Sequence, residues 1–150
     1  MKQKIDPNLL LVFGGFVFIY FAGKKIMQSF GLISDPTERQ NLQKLENQNY
    51  FDPDWYKQFL SKGNPLILTE STSKQYSETI YNAMGIFNDN ENAVYGVFEQ
   101  LKTKSQVSWL AKKFFEKYDI SLLEYLRTYF NDSEMAKVAA IINKLPDYKV

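Results

Sequence analysis

Two residue types are missing altogether from the 150-residue chain: it has no cysteine and no histidine. The first absence excludes disulfides, Cys-ligated zinc, iron–sulfur clusters and thiol nucleophiles. The second excludes Ser-His-Asp triads, HExxH metal sites and imidazole proton shuttles. No Walker A loop, GxGxxG turn or GxSxG elbow occurs, so the common phosphate-cradling and serine-hydrolase signatures are missing too. Neither sign of charge dominates, with 18 basic against 17 acidic side chains. A near-neutral chain lacks the electrostatic footprint that nucleic-acid phosphates demand, so no nucleic-acid partner is expected. What remains is carboxylate, hydroxyl or lysine chemistry, oxygen-ligand cation binding, or a role without chemistry. The last is the expectation: no enzyme, no cofactor and no metal.

The material present is enough for about one domain. Hydrophobic residues make up 45% and aromatic residues 16% of the chain, which argues against wholesale disorder. Charge is spread unevenly. Residues 1–33 carry Lys2, Lys4, Lys24 and Lys25 against Asp6 alone, leaving 14 basic and 16 acidic residues for the remainder.

Residues 9–23 (LLLVFGGFVFIYFAG) run for fifteen positions without a charge. As an α-helix this stretch is about 22 Å long, short of the roughly 30 Å bilayer core. If Lys24 and Lys25 snorkel toward the headgroups, the helix extends to Leu32 and reaches about 36 Å. Asp6-Pro7 supplies a helix start, and Tyr20 suits the headgroup level. The expected membrane-spanning residues are Leu9, Leu10, Leu11, Val12, Phe13, Phe16, Val17, Phe18, Ile19, Tyr20 and Phe21, with Lys24 and Lys25 interfacial. A cleaved signal peptide fits less well, because cutting after Gly23 puts Phe21 where a small residue belongs. A buried helix would have to cover apolar side chains on every face within one small domain. A retained single-pass anchor over residues 1–33 is therefore expected, in a virion membrane or, alternatively, a bacterial inner membrane. Lysines flank both ends, so the positive-inside rule does not choose an orientation.

Residues 34–68 read as a linker. The stretch SDPTERQNLQKLENQNY is polar, with Asp35-Pro36 as a helix start and only Leu42 and Leu45 to hold it to a core. A solvated spacer helix or flexible stalk is expected. DPDWYKQFLSKG then predicts a short docking helix capped by Asp52, with Pro53 in its first turn and Gly63 at its end. Residues 64–68 (NPLIL) look extended and have no partner strand.

Residues 69–150 predict five helices. The first spans about 72–84, with Tyr76, Ile80, Ala83 and Met84 on one face. The second spans about 89–101 and aligns Val94, Val97, Phe98 and Leu101. The third follows Thr103, an N-cap candidate, and presents Val107, Leu110, Ala111, Phe114 and Tyr118. The fourth starts at Asp119, with Leu122, Leu123, Leu126 and Phe130. The fifth starts at Asp132 or Ser133, carries Val138, Ile141, Ile142 and Leu145, and stops at Pro146. Short connections force neighbouring helices to pack as antiparallel or crossed pairs. The fold class expected is all-α: a transmembrane anchor, a polar stalk and a compact five-helix bundle.

Aromatic residues at helical spacing are core residues far more often than a ligand box. Trp109 and Phe115 fall off the central stripe of their helix. They are candidate contacts for the short docking helix or for a partner protein; Trp55, Tyr56 and Phe59 could dock that helix onto the domain behind it, and Trp55 and Tyr56 are also candidate partner contacts. Glu91, Glu99, Glu116 and Glu124 sit on helix surfaces by periodicity, as solvated carboxylates rather than a glycosidase pair. Lys102, Lys104, Lys112 and Lys113 form a solvated face that could also meet anionic headgroups.

The segment 80–142 resembles one annexin repeat, itself a five-helix unit. IYNAMGIFNDNENAVYGVF is similar to the helix A, turn and helix B of that family, and KTKSQVSWLAKKFFEKYDISLLEYL to its third helix and fourth-helix opening. The resemblance implies a candidate cation loop at Asn88, Asp89, Asn90 and Glu91. Met84 matches the family pattern, but Ile86 and Asn88 stand at its two glycine positions and Tyr129 near its distant acidic position. The loss of the glycines and of the acidic residue works against hard-cation binding, and the run from Asn88 to Asn92 reads first as a helix N-terminus. The leader, with its DPN-LLL run, is similar to small proteins of bacteriophages and mobile elements of Flavobacterium-type bacteria. The function expected is a membrane-anchored structural or interaction protein whose partners are the lipid bilayer and a protein lattice. In its concrete form it is a minor virion membrane protein tethering the bilayer to the capsid, its partners being coat subunits. The alternatives are a bacterial inner-membrane adaptor that recruits another protein to a membrane complex, and a cation-dependent lipid-binding module.

Overall fold

The computed structural model describes residues 35–84 and 90–149. Among them are six α-helices and one 3-10 helix, with no β-strand. The helices are α1 (Pro36–Gln48), the 3-10 helix Trp55–Phe59, α2 (Glu70–Ala83), α3 (Glu91–Gln100), α4 (Lys104–Tyr118), α5 (Leu122–Tyr129) and α6 (Asp132–Asn143). The all-α expectation holds for the described residues.

Each α-helix begins where a side chain accepts a hydrogen bond from one of the otherwise unpaired N–H groups of the first turn. Asp35 accepts from the Thr37 amide at 2.7 Å, Thr69 from Thr72 and Asn90 from Ala93. Thr103 accepts from Gln106, as its position in the sequence predicts. Ser121 caps α5. Asn131 caps α6 in a reciprocal box, in which Glu134 reaches back to the Asn131 amide at 2.8 Å.

The helices pack in a chain of neighbours: α1 on α6, α6 on α3, α3 on α2, α2 on α4, and α4 on both α5 and the 3-10 helix. Among the described residues the core runs from Leu42 to Ile142 and includes Tyr50, Phe98, Leu110, Phe114, Leu122 and Leu126, all at 0% exposure except Leu42 at 3%. Burying an aliphatic or aromatic side chain of this size contributes about 1.5–3 kcal/mol. The apolar faces expected for 94–101, 107–114 and 122–130 all point into this core, while Tyr118 and Leu123 are partly buried.

The structure departs from the sequence expectations in three places. First, residues 36–51 are not a solvated stalk. Leu42 and Leu45 are buried, and Tyr50 and Phe51 follow them into the core at 0% and 5% exposure. The α1–α6 pairing is the most extensive in the bundle. Two leucines three residues apart are enough to seat a helix when the chain folds straight back after it. Asn49 makes that return in the left-handed region, at φ 49°. Second, DPDWYKQFLSKG forms only a 3-10 turn from Trp55 to Phe59. Asp52 accepts from the Asp54 amide at 2.8 Å, which makes a local turn rather than an α-helical cap. Gly63, at φ 119°, ends the segment. Third, α5 begins at Leu122, not Asp119. Asp119 is instead the left-handed C-cap of α4, at φ 55°, its amide donating to the Phe115 carbonyl.

Candidate functional surface

Among the described residues no helix is long and apolar enough to cross a membrane. The candidate span, from Leu9 through Phe21 with Lys24 and Lys25, lies outside the described residues.

The candidate cation loop divides in the same way. Asn88 and Asp89 lie outside the described residues. Asn90 caps α3, its Oδ1 accepting from the Ala93 amide at 3.2 Å. Glu91 occupies the first turn of α3, where a carboxylate complements the helix dipole. The Asn90 amide donates to the Ala83 carbonyl at 2.8 Å, which brings the end of α2 next to the start of α3. Among the described residues no group of acidic side chains is arranged to hold a metal ion.

Three of the four candidate partner-contact residues meet inside the chain. Tyr56 stands edge-on to Trp109, with ring centres 5.2 Å apart at 86°. Trp55 meets Phe59 edge-on at 4.9 Å. Ser108 ties the two elements together: its Oγ accepts from the Tyr56 amide at 3.1 Å and donates to the Asp52 carbonyl at 2.6 Å. The Tyr56–Trp109 contact and Ser108 therefore hold the 3-10 helix on α4, so Trp109 meets the docking segment, while the Trp55–Phe59 contact lies within that segment. Phe115 stays 46% exposed.

The lysines expected to form one solvated face do not behave as a set. Lys104 is buried and pairs with Asp147 at 2.8 Å. Lys113 bridges Glu70 at 3.0 Å and Glu116 at 2.9 Å, and hydrogen bonding to Glu116 and then Glu70 holds its ammonium above the ordinary lysine value. Lys112 lies over the Trp109 and Tyr56 rings. Lys104, Lys112 and Lys113 thus have partners within the chain, while Lys102 is exposed. Of the carboxylates, Glu116 is engaged by lysines, while Glu99 and Glu124 are exposed.

Sequence reasoning missed two features. One is a tyrosine ladder: Tyr81 stacks on Tyr118 at 4.0 Å and 5°, and on Tyr125 at 5.3 Å and 18°. The Tyr125 hydroxyl donates to the Tyr81 carbonyl at 2.8 Å. These residues come from α2, α4 and α5, and no single-helix periodicity brings them together. The other is the path of the C-terminal residues. The amides of Lys104 and Ser105 donate to the Pro146 and Asp147 carbonyls at 2.9 Å each, and the Leu66 amide donates to the Lys149 carbonyl at 2.6 Å. Tyr148 stacks on Phe59 with ring centres 4.6 Å apart.

Tyr95, between α3 and α6, has its phenol pushed up to about 12, by burial first and then by Glu134 and Glu91. It lines a shallow depression with Glu99, Lys137, Ala140 and Ile141. A tyrosine that keeps its proton over the physiological range is not poised as a base. Comparison of the chain with protein-family models, with curated proteins and with solved structures finds no match.

Proposed function

We propose that the protein is a non-enzymatic, membrane-tethered structural or interaction module. The apolar N-terminal run fixes one end in lipid, and the helical bundle is held at the membrane surface to engage a protein partner. The observation that carries this reading is the fifteen-residue uncharged run at 9–23, set ahead of a helical bundle with a hydrophobic core of its own among the described residues. A helix with apolar side chains on every face is hard to cover within one small domain, and lipid supplies the apolar surroundings it needs. The engagement of many polar side chains in caps and ion pairs supports a role without catalysis.

In its concrete form the bilayer is that of a lipid-containing virus particle, and the partner is the coat lattice. The packing of α1 against the bundle supports a short tether: the folded part follows the apolar run closely.

The test is extraction of membranes at alkaline pH from cells expressing the full chain, beside a chain starting at residue 34. The full chain stays in the membrane pellet, and the shortened chain is soluble and helical. Recovery of the full chain in the supernatant overturns the tether. Mass spectrometry of purified particles before and after delipidation tests the viral form. Its absence from particles, with presence in host membranes, leaves the adaptor reading.

A further inference from the structure

Residues 146–149 run across the bundle surface, held by main-chain hydrogen bonds, an ion pair and a ring stack. The surface beneath them is formed by Phe59 of the 3-10 helix, the extended segment 64–68 and the first turn of α4. We propose that it is a receptor for an extended peptide carrying an acidic residue followed by an aromatic one, and that residues 146–149 of the chain are its resident, displaceable occupant.

That surface is built, not incidental. The first two amides of α4, those of Lys104 and Ser105, take the Pro146 and Asp147 carbonyls at 2.9 Å each. The third, that of Gln106, takes the Thr103 hydroxyl at 3.3 Å. Two of the free donors that begin any helix are thus reserved for the strap. On the facing wall, the Leu66 amide takes the Lys149 carbonyl at 2.6 Å. Leu66 is itself positioned by its carbonyl, 3.5 Å from both the Thr103 and Ser105 hydroxyls.

Side chains give the surface its selectivity. The Lys104 side chain is 8% exposed, and its ammonium meets the Asp147 carboxylate at 2.8 Å. A charge on a side chain so nearly buried needs a partner, and that partner comes from the strap. Next to it the Phe59 ring forms a platform on which Tyr148 stacks at 18°, and the Lys62 ammonium lies 5.7 Å from both ring centres. Main-chain bonds with alternating side-chain sites are how extended peptides are recognised at other protein surfaces.

The occupant is separable because it does not build the core. The buried cluster ends at Ile142, with Leu145 only partly covered against it. Asp147 keeps 54% of its side chain exposed. The strap holds by polar and stacking contacts that another peptide of the same chemistry reproduces.

The experiment uses the chain ending at residue 145, in detergent, and a labelled peptide with the sequence of residues 145–150, read by fluorescence anisotropy. The shortened chain keeps its helical circular dichroism and binds the peptide saturably. A peptide with Asp147→Asn binds at least tenfold more weakly, and so does the full chain, whose own strap competes. No saturable binding to the folded shortened chain, or equal binding by the full chain, overturns the proposal. If the shortened chain does not fold, hydrogen exchange on the full chain with Asp147→Asn and Tyr148→Ala decides. Exchange at the Leu66, Lys104 and Ser105 amides rises more than tenfold while that at Val138 and Ala139 is unchanged. A rise throughout the bundle shows the strap to be an integral part of the fold and overturns the proposal.

Discussion

Asn143, at the end of α6, donates from Nδ2 to the main-chain carbonyl of Asn41 in α1 across 3.1 Å. Its other amide atom, Oδ1, accepts from the Tyr50 hydroxyl at 3.2 Å. One side chain thus serves both α1 and Tyr50, two residues past its end. Substituting Asn143→Ala removes both bonds and strands the phenol of a fully buried tyrosine. The expected cost is about 2 kcal/mol, read as a lowered urea midpoint. Combining it with Tyr50→Phe brings back part of the loss, because no polar group is then left unpaired. A cost under about 0.5 kcal/mol would show that α1 rests loosely on the bundle.

Removing α1 has a larger effect. A chain starting at residue 34 keeps Leu42, Leu45 and Tyr50, whereas one starting at residue 52 loses all three from the core along with Phe51. Each large buried apolar side chain removed costs about 2–5 kcal/mol, and whole-domain stability is about 5–15 kcal/mol. The shorter fragment is therefore expected to lose its cooperative urea transition, while the longer one unfolds in a single step. A cooperative transition in the fragment starting at 52 would restore the stalk reading of residues 34–50.

Much of the helical frame is legible in the sequence because it is local. Thr103, Asp35-Pro36 and the Asn131-to-Glu134 spacing announce helix starts, and the 3.6-residue period marks the faces of Val94 to Leu101 and Val107 to Phe114. What is not legible depends on the return of the chain in three dimensions. Tyr50 and Phe51 follow the end of α1 and belong to no helical stripe, so their burial leaves no periodic trace. Lys104 looks like a surface lysine because its partner, Asp147, lies 43 residues away. Asp119 has the composition of a helix start, yet a short polar side chain also suits the left-handed turn that ends a helix. The candidate surface was legible only in part for the same reason: Trp109 and Tyr56 stood out as aromatic, and their mutual contact required the fold.

Glu46 on α1 and Arg127 on α5 form an ion pair at 3.3 Å, with side chains 16% and 18% exposed. Burial raises the Glu46 carboxyl above its ordinary value despite the nearby guanidinium, and burial lowers Arg127 despite the carboxylate. Desolvation thus outweighs attraction on both sides. Just above pH 4.5 the folded chain keeps a proton on Glu46 that the unfolded chain has released. The contribution of this group is complete below that pH and is lost as pH rises through the folded value. Urea midpoints of the native chain and Glu46→Gln, compared from pH 4 to 7, are expected to move against the native chain as pH rises. The opposite trend would show that attraction wins. At neutral pH Glu46→Ala alone costs about 2 kcal/mol by leaving the arginine unpaired, whereas Glu46→Leu with Arg127→Met stays within about 1 kcal/mol of the native chain.

Gly96 lies in the interior of α3, and a Cβ built there meets no atom within 4 Å. Glycine in a helix interior costs roughly 0.5–1 kcal/mol relative to alanine. Gly96→Ala is expected to stabilise the chain by that amount, seen as a higher thermal midpoint with unchanged circular dichroism. A lower midpoint would mean that the added methyl strains the packing around α3 by more than the helix gains.

The chain has two tryptophans, and they lie on the two elements that Ser108 joins: Trp55 in the 3-10 helix and Trp109 on α4. Trp109 also has the Lys112 and Lys113 ammonium groups 5.4 and 5.1 Å from its ring, close enough to tune its emission. Indole fluorescence therefore watches a single seam of the molecule and is blind to the α1–α6 side. When it is recorded together with far-ultraviolet ellipticity, any lag between the two signals distinguishes peeling of that seam from melting of the whole.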